Sequence, residues 1–235
     1  WNFGVKAFSG KVTDEQLLEY DPVISGTYES QKLGFIQGAE STIGYKGNKF
    51  ALKTSMGTVH EYNTVLGSYS DGLMGLGGGD TIYIDSIAMF APTDSFSLTA
   101  RATFANTRAN PNGDVILGLS EIQSDAFAVS ADYKNWSFAV TQPLAVRKGN
   151  MEYATMDYEI VETAGGYELN TTPYIANFDL APNVRETRFS LAYRTKLGAM
   201  TTGALGFVYR VNPDNTDQFG NESIFMLKIK HSVGI

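Results

Sequence analysis

The chain has 235 residues, 25 acidic against 18 basic, with a net charge of −7 and a pI near 4.9, so no basic patch stands out to neutralise phosphates and nucleic acid is not an expected partner. Charged residues make up 18% and aromatic residues 12%. That is less charge than a water-facing globular surface carries, which favours a membrane or assembly role. There is no cysteine, which excludes disulfide frameworks, thiol catalysis and thiolate metal sites.

No composition shift or Pro/Ser-rich linker divides the chain, and residues 1–235 read as one domain. It opens on Trp1 rather than Met and is apolar and alternating at once, the expectation for a piece of a longer precursor. Residues 12–30, with Asp14, Glu15, Glu19 and Asp21 around Leu17 and Leu18, read as a long loop with room for one helical turn. From there period-two alternation dominates. Phe50, Leu52, Thr54 and Met56 alternate with Ala51, Lys53 and Ser55, and Phe96, Leu98, Ala100, Ala102 and Phe104 alternate with Ser97, Thr99, Arg101 and Thr103. Phe127, Val129, Ala131 and Tyr133 oppose Ala128, Ser130 and Asp132, and Trp136, Phe138 and Val140 oppose Ser137, Ala139 and Thr141. Phe189, Leu191 and Tyr193 oppose Ser190, Ala192 and Arg194, while Leu205, Phe207, Tyr209 and Val211 oppose Gly206, Val208 and Arg210. The last run sets Phe225, Leu227, Ile229, Val233 and Ile235 against Lys228, Lys230, Ser232 and Gly234. Turn signals at Gly47-Asn48, Asn110-Pro111-Asn112-Gly113, Gly165-Gly166 and Asn212 to Asn221 separate the runs.

This spacing predicts an all-β chain, an antiparallel up-and-down β-barrel of about 10–12 strands. No apolar run reaches the roughly 18 residues of a spanning helix, so a membrane would be crossed only by a closed barrel. A soluble barrel needs Lys, Glu and Asp outside, whereas a membrane barrel turns aromatics outward and keeps small polar and charged groups within. Here the polar face is mostly Ser, Thr, Ala and Gly with occasional cations, and Arg101, Ser130, Arg194, Arg210 and Lys228 are candidate lumen residues. The stripes Phe96/Phe104, Phe189/Tyr193 and Phe207/Tyr209 serve equally as a lipid girdle or a packed interior.

Candidate chemistry is sparse, and no catalytic, cofactor or metal site is expected. Thr54-Ser55-Met56 resembles a fragment of a serine nucleophile motif but lacks its Gly and helix, and a strand offers no nucleophile elbow. The two histidines, His60 and His231, read as structural; His60 and Glu61 are neighbours on a strand and leave by opposite faces, which excludes a shared metal. Gly75-Leu76-Gly77-Gly78-Gly79-Asp80 lacks the Lys-Ser/Thr of a phosphate loop and reads as a hairpin loop. Asp214, Asn215, Asp217, Asn221 and Glu222 could gather around calcium, but their spacing misses the EF-hand pattern and a solvated turn is expected.

Four stretches carry a family resemblance over Lys53 to Ile235: Gly57-Thr58-Val59-His60-Glu61-Tyr62-Asn63-Thr64-Val65-Leu66-Gly67-Ser68 followed by Asp71-Gly72; Ser124-Asp125-Ala126-Phe127-Ala128-Val129; Phe138-Ala139-Val140-Thr141-Gln142-Pro143-Leu144-Ala145-Val146; and Leu180-Ala181-Pro182 through Arg185-Glu186 to Leu191-Ala192-Tyr193-Arg194. Together they resemble the carboxy-terminal β-domain of bacterial, especially alphaproteobacterial, subtilisin-like serine peptidases that look like autotransporters. The resemblance implies a non-catalytic envelope barrel in the outer membrane or at the cell surface that anchors or translocates an upstream protease passenger. The expected partners are then outer-membrane lipid and that passenger. The alternative is a soluble, extracellular β-domain that assembles with copies of itself or adheres after cleavage from the protease.

Overall fold

The computed structural model describes residues 1–13, 32–62, 64–65, 68–69, 75–163, 166–198, 201–218 and 220–231. In chain order the strands are β1 (Asn2–Thr13), β2 (Lys32–Lys46), β3 (Phe50–Tyr62), β4 (Thr64–Val65), β5 (Ser68–Tyr69), β6 (Gly78–Thr93), β7 (Phe96–Ala109), β8 (Ile116–Leu119), β9 (Ile122–Tyr133), β10 (Trp136–Lys148), β11 (Asn150–Thr163), β12 (Gly166–Asp179), β13 (Thr187–Gly198), β14 (Thr201–Val211) and β15 (Glu222–His231). Among the described residues the only helical element is a single 3-10 turn at Pro213–Asn215. The fold is all-β and antiparallel, as the alternation predicts.

Ten strands form one sheet in the order β1-β2-β3-β6-β7-β9-β10-β13-β14-β15, so each main-sheet strand pairs with those just before and after it in the chain. This is the up-and-down arrangement, and ten lies within the expected 10–12. Among the described residues no register joins β1 to β15; each is paired on one side. A single row of register partners crosses all ten strands through Asn2, Gly44, Lys53, Ile87, Arg101, Ala128, Thr141, Arg188, Arg210 and Glu222.

Connections alternate in length. Residues 47–49, 94–95, 134–135 and 199–200 join strands tightly, whereas 14–31, 63–77, 110–121, 149–186 and 212–221 are longer. Because successive strands run in opposite directions, all the tight connections fall at one end of the sheet and all the long ones at the other. β1 begins and β15 finishes at the tight end. Residues 12–13 of the expected loop complete β1, and the rest of it lies outside the described residues. The Gly-rich loop is shorter than expected. Only Gly75 to Gly77 stay outside the ladder, because Gly78 pairs with Tyr62 and Gly79 with Glu61.

The long end carries a second sheet, β12-β11-β8. β11 and β12 form a 30-residue ribbon, Asn150 to Asp179, paired as far as Thr163 with Gly166 but outside the main sheet. It is tethered through β8 and through Leu180 N–H donating to Gly149 O at 2.8 Å. The ribbon holds Glu152, Asp157, Glu159, Glu162, Glu168 and Asp179 and no Lys or Arg.

An apolar core is nearly absent. Val65, Ala109 and Ile122 cluster near the long end with Leu76, Leu119, Val146 and Leu180. The chain exposes 16226 Å², where a compact soluble monomer of this mass would expose about 10,000 Å². The sheet is therefore not folded over an apolar interior.

Candidate functional site on the polar face

The registers sort the main sheet into two faces. One carries Val5, Ile43, Met56, Ile84, Phe104, Phe127, Phe138, Leu191, Phe207 and Leu227, with Met56, Ile84 and Phe104 in one row and Phe138, Leu191 and Phe207 in another, and it is the exposed face: Met56 is 59% accessible, Leu205 57% and Leu227 69%. Phe96, Phe104, Phe189, Tyr193, Phe207 and Tyr209 all belong to it, which settles the direction of the stripes. The opposite face carries the small and polar groups and is the covered one, with Ser55 2% and Thr107 0% accessible. Buried polar residues outnumber buried apolar ones, seven to five among the described residues, so burial here runs opposite to that of a soluble domain.

On β1, β2, β3, β6 and β7 the polar face is tied by side chains that cross the strands. Lys6 Nζ lies 3.2 Å from Glu40 Oε1, and the Tyr83 hydroxyl donates to Glu40 Oε2 at 2.6 Å. That second bond spans β3, and only glycine leaves room for it: a Cβ on Gly57 would stand 2.6 Å from the Tyr83 ring and 2.7 Å from the Ala39 carbonyl. Ser55 and Thr42 hydroxyls meet at 2.9 Å. Asp85 Oδ1 accepts from Arg101 Nε at 2.7 Å and from the Thr103 hydroxyl at 2.6 Å. The buried hydroxyls of Thr81 and Thr107 meet at 2.8 Å.

At the long end of β13, β14 and β15 the knot is ionic. Glu186 precedes β13 and is 2% accessible. Its Oε1 accepts from Arg188 Nε at 2.5 Å and Arg210 Nε at 2.6 Å; its Oε2 accepts from Arg210 Nη2 and from the Asp214 N–H, each at 3.0 Å. Arg210 also donates to Asp214 Oδ1 and Glu222 Oε2, both at 2.7 Å, and the Glu186 N–H donates to Asn215 Oδ1 at 3.0 Å. The Arg210 guanidinium, and then Arg188 and the Asp214 N–H, hold the Glu186 carboxyl at about 2, against the burial that opposes its charge.

The residues singled out in the sequence fall into place on this frame. Arg101, Ser130, Arg194, Arg210 and Lys228 share the polar face. Ser55 lies on the polar face and His60 on the apolar one, so they share no chemistry; His60 Nδ1 instead meets Asp80 Oδ1 at 2.5 Å and packs edge-on against Tyr62. His231 pairs through its backbone with Thr201. Asp214, Asn215 and Glu222 turn toward Arg210 and Glu186 rather than toward one another. Among the described residues no group of three or more His, Asp or Glu is placed to hold a metal. Sequence reading missed Glu186, Arg188, Glu40 and Tyr83. The one available signal was the basic residues Arg188 and Arg210 at the ends of faces that are otherwise mostly small.

Two further features stand out. Asp125 and Arg185 form an ion pair toward the apolar face beside Phe127, with Arg185 Nη2 also donating to the Pro143 carbonyl at 3.2 Å. At the tight end of the polar face, Arg194 aligns with Lys228 across Ala204, and Lys196 with Lys230 across Thr202. Among the described residues none of these four cations meets a carboxylate. Comparison of the chain with protein-family models, curated proteins and solved structures finds no match.

Proposed function

We propose that the chain is a non-catalytic envelope barrel, in the bacterial outer membrane or at the cell surface, whose apolar face meets lipid and whose polar face lines a closed interior once β1 pairs with β15. The observation that carries this reading is the inverted polarity: exposed Phe, Leu, Ile and Met on one face, ionic and hydroxyl ties on the other. Two features support it. Ten is an even strand number, and the tight connections gather at one end and the long ones at the other, as in single-chain outer-membrane barrels. Closure would also pair two strand edges that otherwise invite aggregation. The further role, anchoring or translocating an upstream subtilisin-like protease passenger, rests on the resemblance over Lys53 to Ile235.

The test is recovery of the native chain by fractionation, followed by refolding with and without detergent. The expected result is a membrane-fraction protein that folds only with detergent or lipid and shows heat-modifiable gel mobility. Folding as a water-soluble monomer without detergent would refute the proposal.

A second reading, a β-domain that assembles with copies of itself, is favoured by one observation: β1 and β15 each lack a second strand partner among the described residues. Edge-to-edge pairing of copies would supply it. Native mass spectrometry showing oligomers that persist without lipid would support this reading, and a monomer alone would count against it.

A further inference from the structure

We infer that the tight end of the polar face, between β13, β14 and β15, is a binding site for a multivalent oxyanion of the phosphate class. Elsewhere on this face most cations meet a carboxylate; Lys46, at the tight end of β2, stands alone. Lys6 has Glu40, Arg101 has Asp85, Arg188 has Glu186, and Arg210 has Glu186, Asp214 and Glu222. Arg194, Lys196, Lys228 and Lys230 are the place where four cations gather without a carboxylate among the described residues.

Their arrangement follows from the registers. Arg194 and Lys228 share one row and Lys196 and Lys230 the next on the same face, each pair separated by the single strand β14. Strand spacing puts the two members of a pair about 10 Å apart, and two residues of rise put the rows about 7 Å apart. Between them the wall is built from small residues, Ala192, Thr202, Ala204 and Gly206, so the four side chains border a crevice of about 590 Å³ instead of a packed surface. Cations held this close repel one another, and a ligand carrying several negative oxygens relieves all of them at once. A monovalent anion does not. Arg194 supplies a planar fork for two oxygens, and the three lysines supply point charges that adapt to the rest. The ligand is therefore a di- or polyphosphate-like group, free in solution or carried as the headgroup of a phosphorylated lipid. The inference stands whether water or lipid meets the apolar face.

The test is calorimetric titration of the whole chain in nonionic detergent with inorganic pyrophosphate, and, in a second arm, with mixed micelles containing a phosphorylated anionic lipid. Wild type is expected to bind pyrophosphate with an affinity that falls as salt rises. The pair Lys196→Gln with Lys230→Gln should lose at least tenfold, while the same positions changed to Arg retain binding and Lys6→Gln, on the same face but paired with Glu40, behaves as wild type. These exposed substitutions leave the folded gel mobility unchanged. Binding of pyrophosphate assigns a free phosphate ligand; binding only in the lipid arm, with the same loss in the double variant, assigns the headgroup. If neither titrant binds wild type more tightly than it binds the double variant, the site does not exist.

Discussion

Replacing Glu186 by Gln tests whether the ionic knot at the long end of the polar face is structural. The carboxylate is 2% accessible and accepts four hydrogen bonds, three of them from arginines. Gln keeps the shape but loses the charge, and its amide must turn a donor toward a guanidinium. Breaking a buried ion pair from one side costs about 3–5 kcal/mol. Arg210 retains Asp214 and Glu222, and Arg188 reaches solvent, so we expect a cost at or just below the bottom of that range, about 2–3 kcal/mol. The pKa gives an independent figure. A carboxyl held at about 2 instead of its ordinary 4.5 contributes on the order of 3 kcal/mol, discounted to about 2 for solvent at its partners. Because the folded value is depressed, this stability is complete above pH 4.5 and is lost as pH falls from 4.5 toward 2. Urea unfolding followed by tryptophan fluorescence in nonionic detergent at pH 7, 4.5 and 3 reads both effects. Glu186→Gln should unfold at lower urea at pH 7, and the gap to wild type should narrow at pH 3. Equal midpoints at pH 7, or a gap that does not change with pH, would refute this account.

The remaining predictions use the same unfolding and gel assays. Leu191→Arg or Phe207→Arg, on the exposed apolar face, should cost about 2–4 kcal/mol near the bilayer midplane, whereas Ser190→Arg, one residue away on the polar face, should cost far less; equal penalties would sink the lipid-facing assignment. Gly57→Val should destabilise by about 1–3 kcal/mol or more through overpacking, since the new Cβ meets both the Tyr83 ring and a backbone carbonyl; Tyr83→Ala in the same chain should recover only part, and full recovery would show that the Ala39 contact is irrelevant. Removing residues 155–174, most of the acidic ribbon, should leave the gel mobility shift intact, because the ribbon's ties to the rest of the chain lie at its base. Deleting Ile224 to Ile235 should abolish the folded form; a protease-resistant core that survives it would contradict a closed sheet.

Much of this fold is legible in the sequence because a strand repeats every two residues. The runs at Phe96, Phe127, Trp136, Phe189 and Leu205 each mark a strand, and their polar halves mark the shared face. Alternation does not say which half water or lipid meets, nor which strands are neighbours. The ribbon at 150–179 alternates as well as any barrel strand, and only pairing reveals that it leaves the main sheet. The charge clusters were hidden for a related reason. Glu40 and Tyr83 are 43 residues apart and Glu186 and Arg210 are 24 apart, and the basic patch that the sequence did not show is assembled from two alternating pairs, Arg194/Lys196 and Lys228/Lys230, brought together by β14.

The row of register partners from Asn2 to Glu222 also works as a ramp. It starts on the first residue of β1, at the tight end, and finishes on the residue that opens the ten-residue β15, at the long end. Crossing nine strand spacings of about 4.8 Å while climbing about nine residues of 3.3 Å, it makes the strands lean about 35° from the axis of any cylinder whose tight turns lie level. Ten strands at that lean enclose a backbone radius of only about 9–10 Å. Side chains reaching inward would narrow such a bore further, except where the small residues beside Arg194 and Lys228 leave a crevice. A helix with its side chains, about 10–12 Å across, would not fit through it. Were the sheet to close as proposed, so narrow a cylinder would suit holding something at a surface better than conducting an unfolded chain across one.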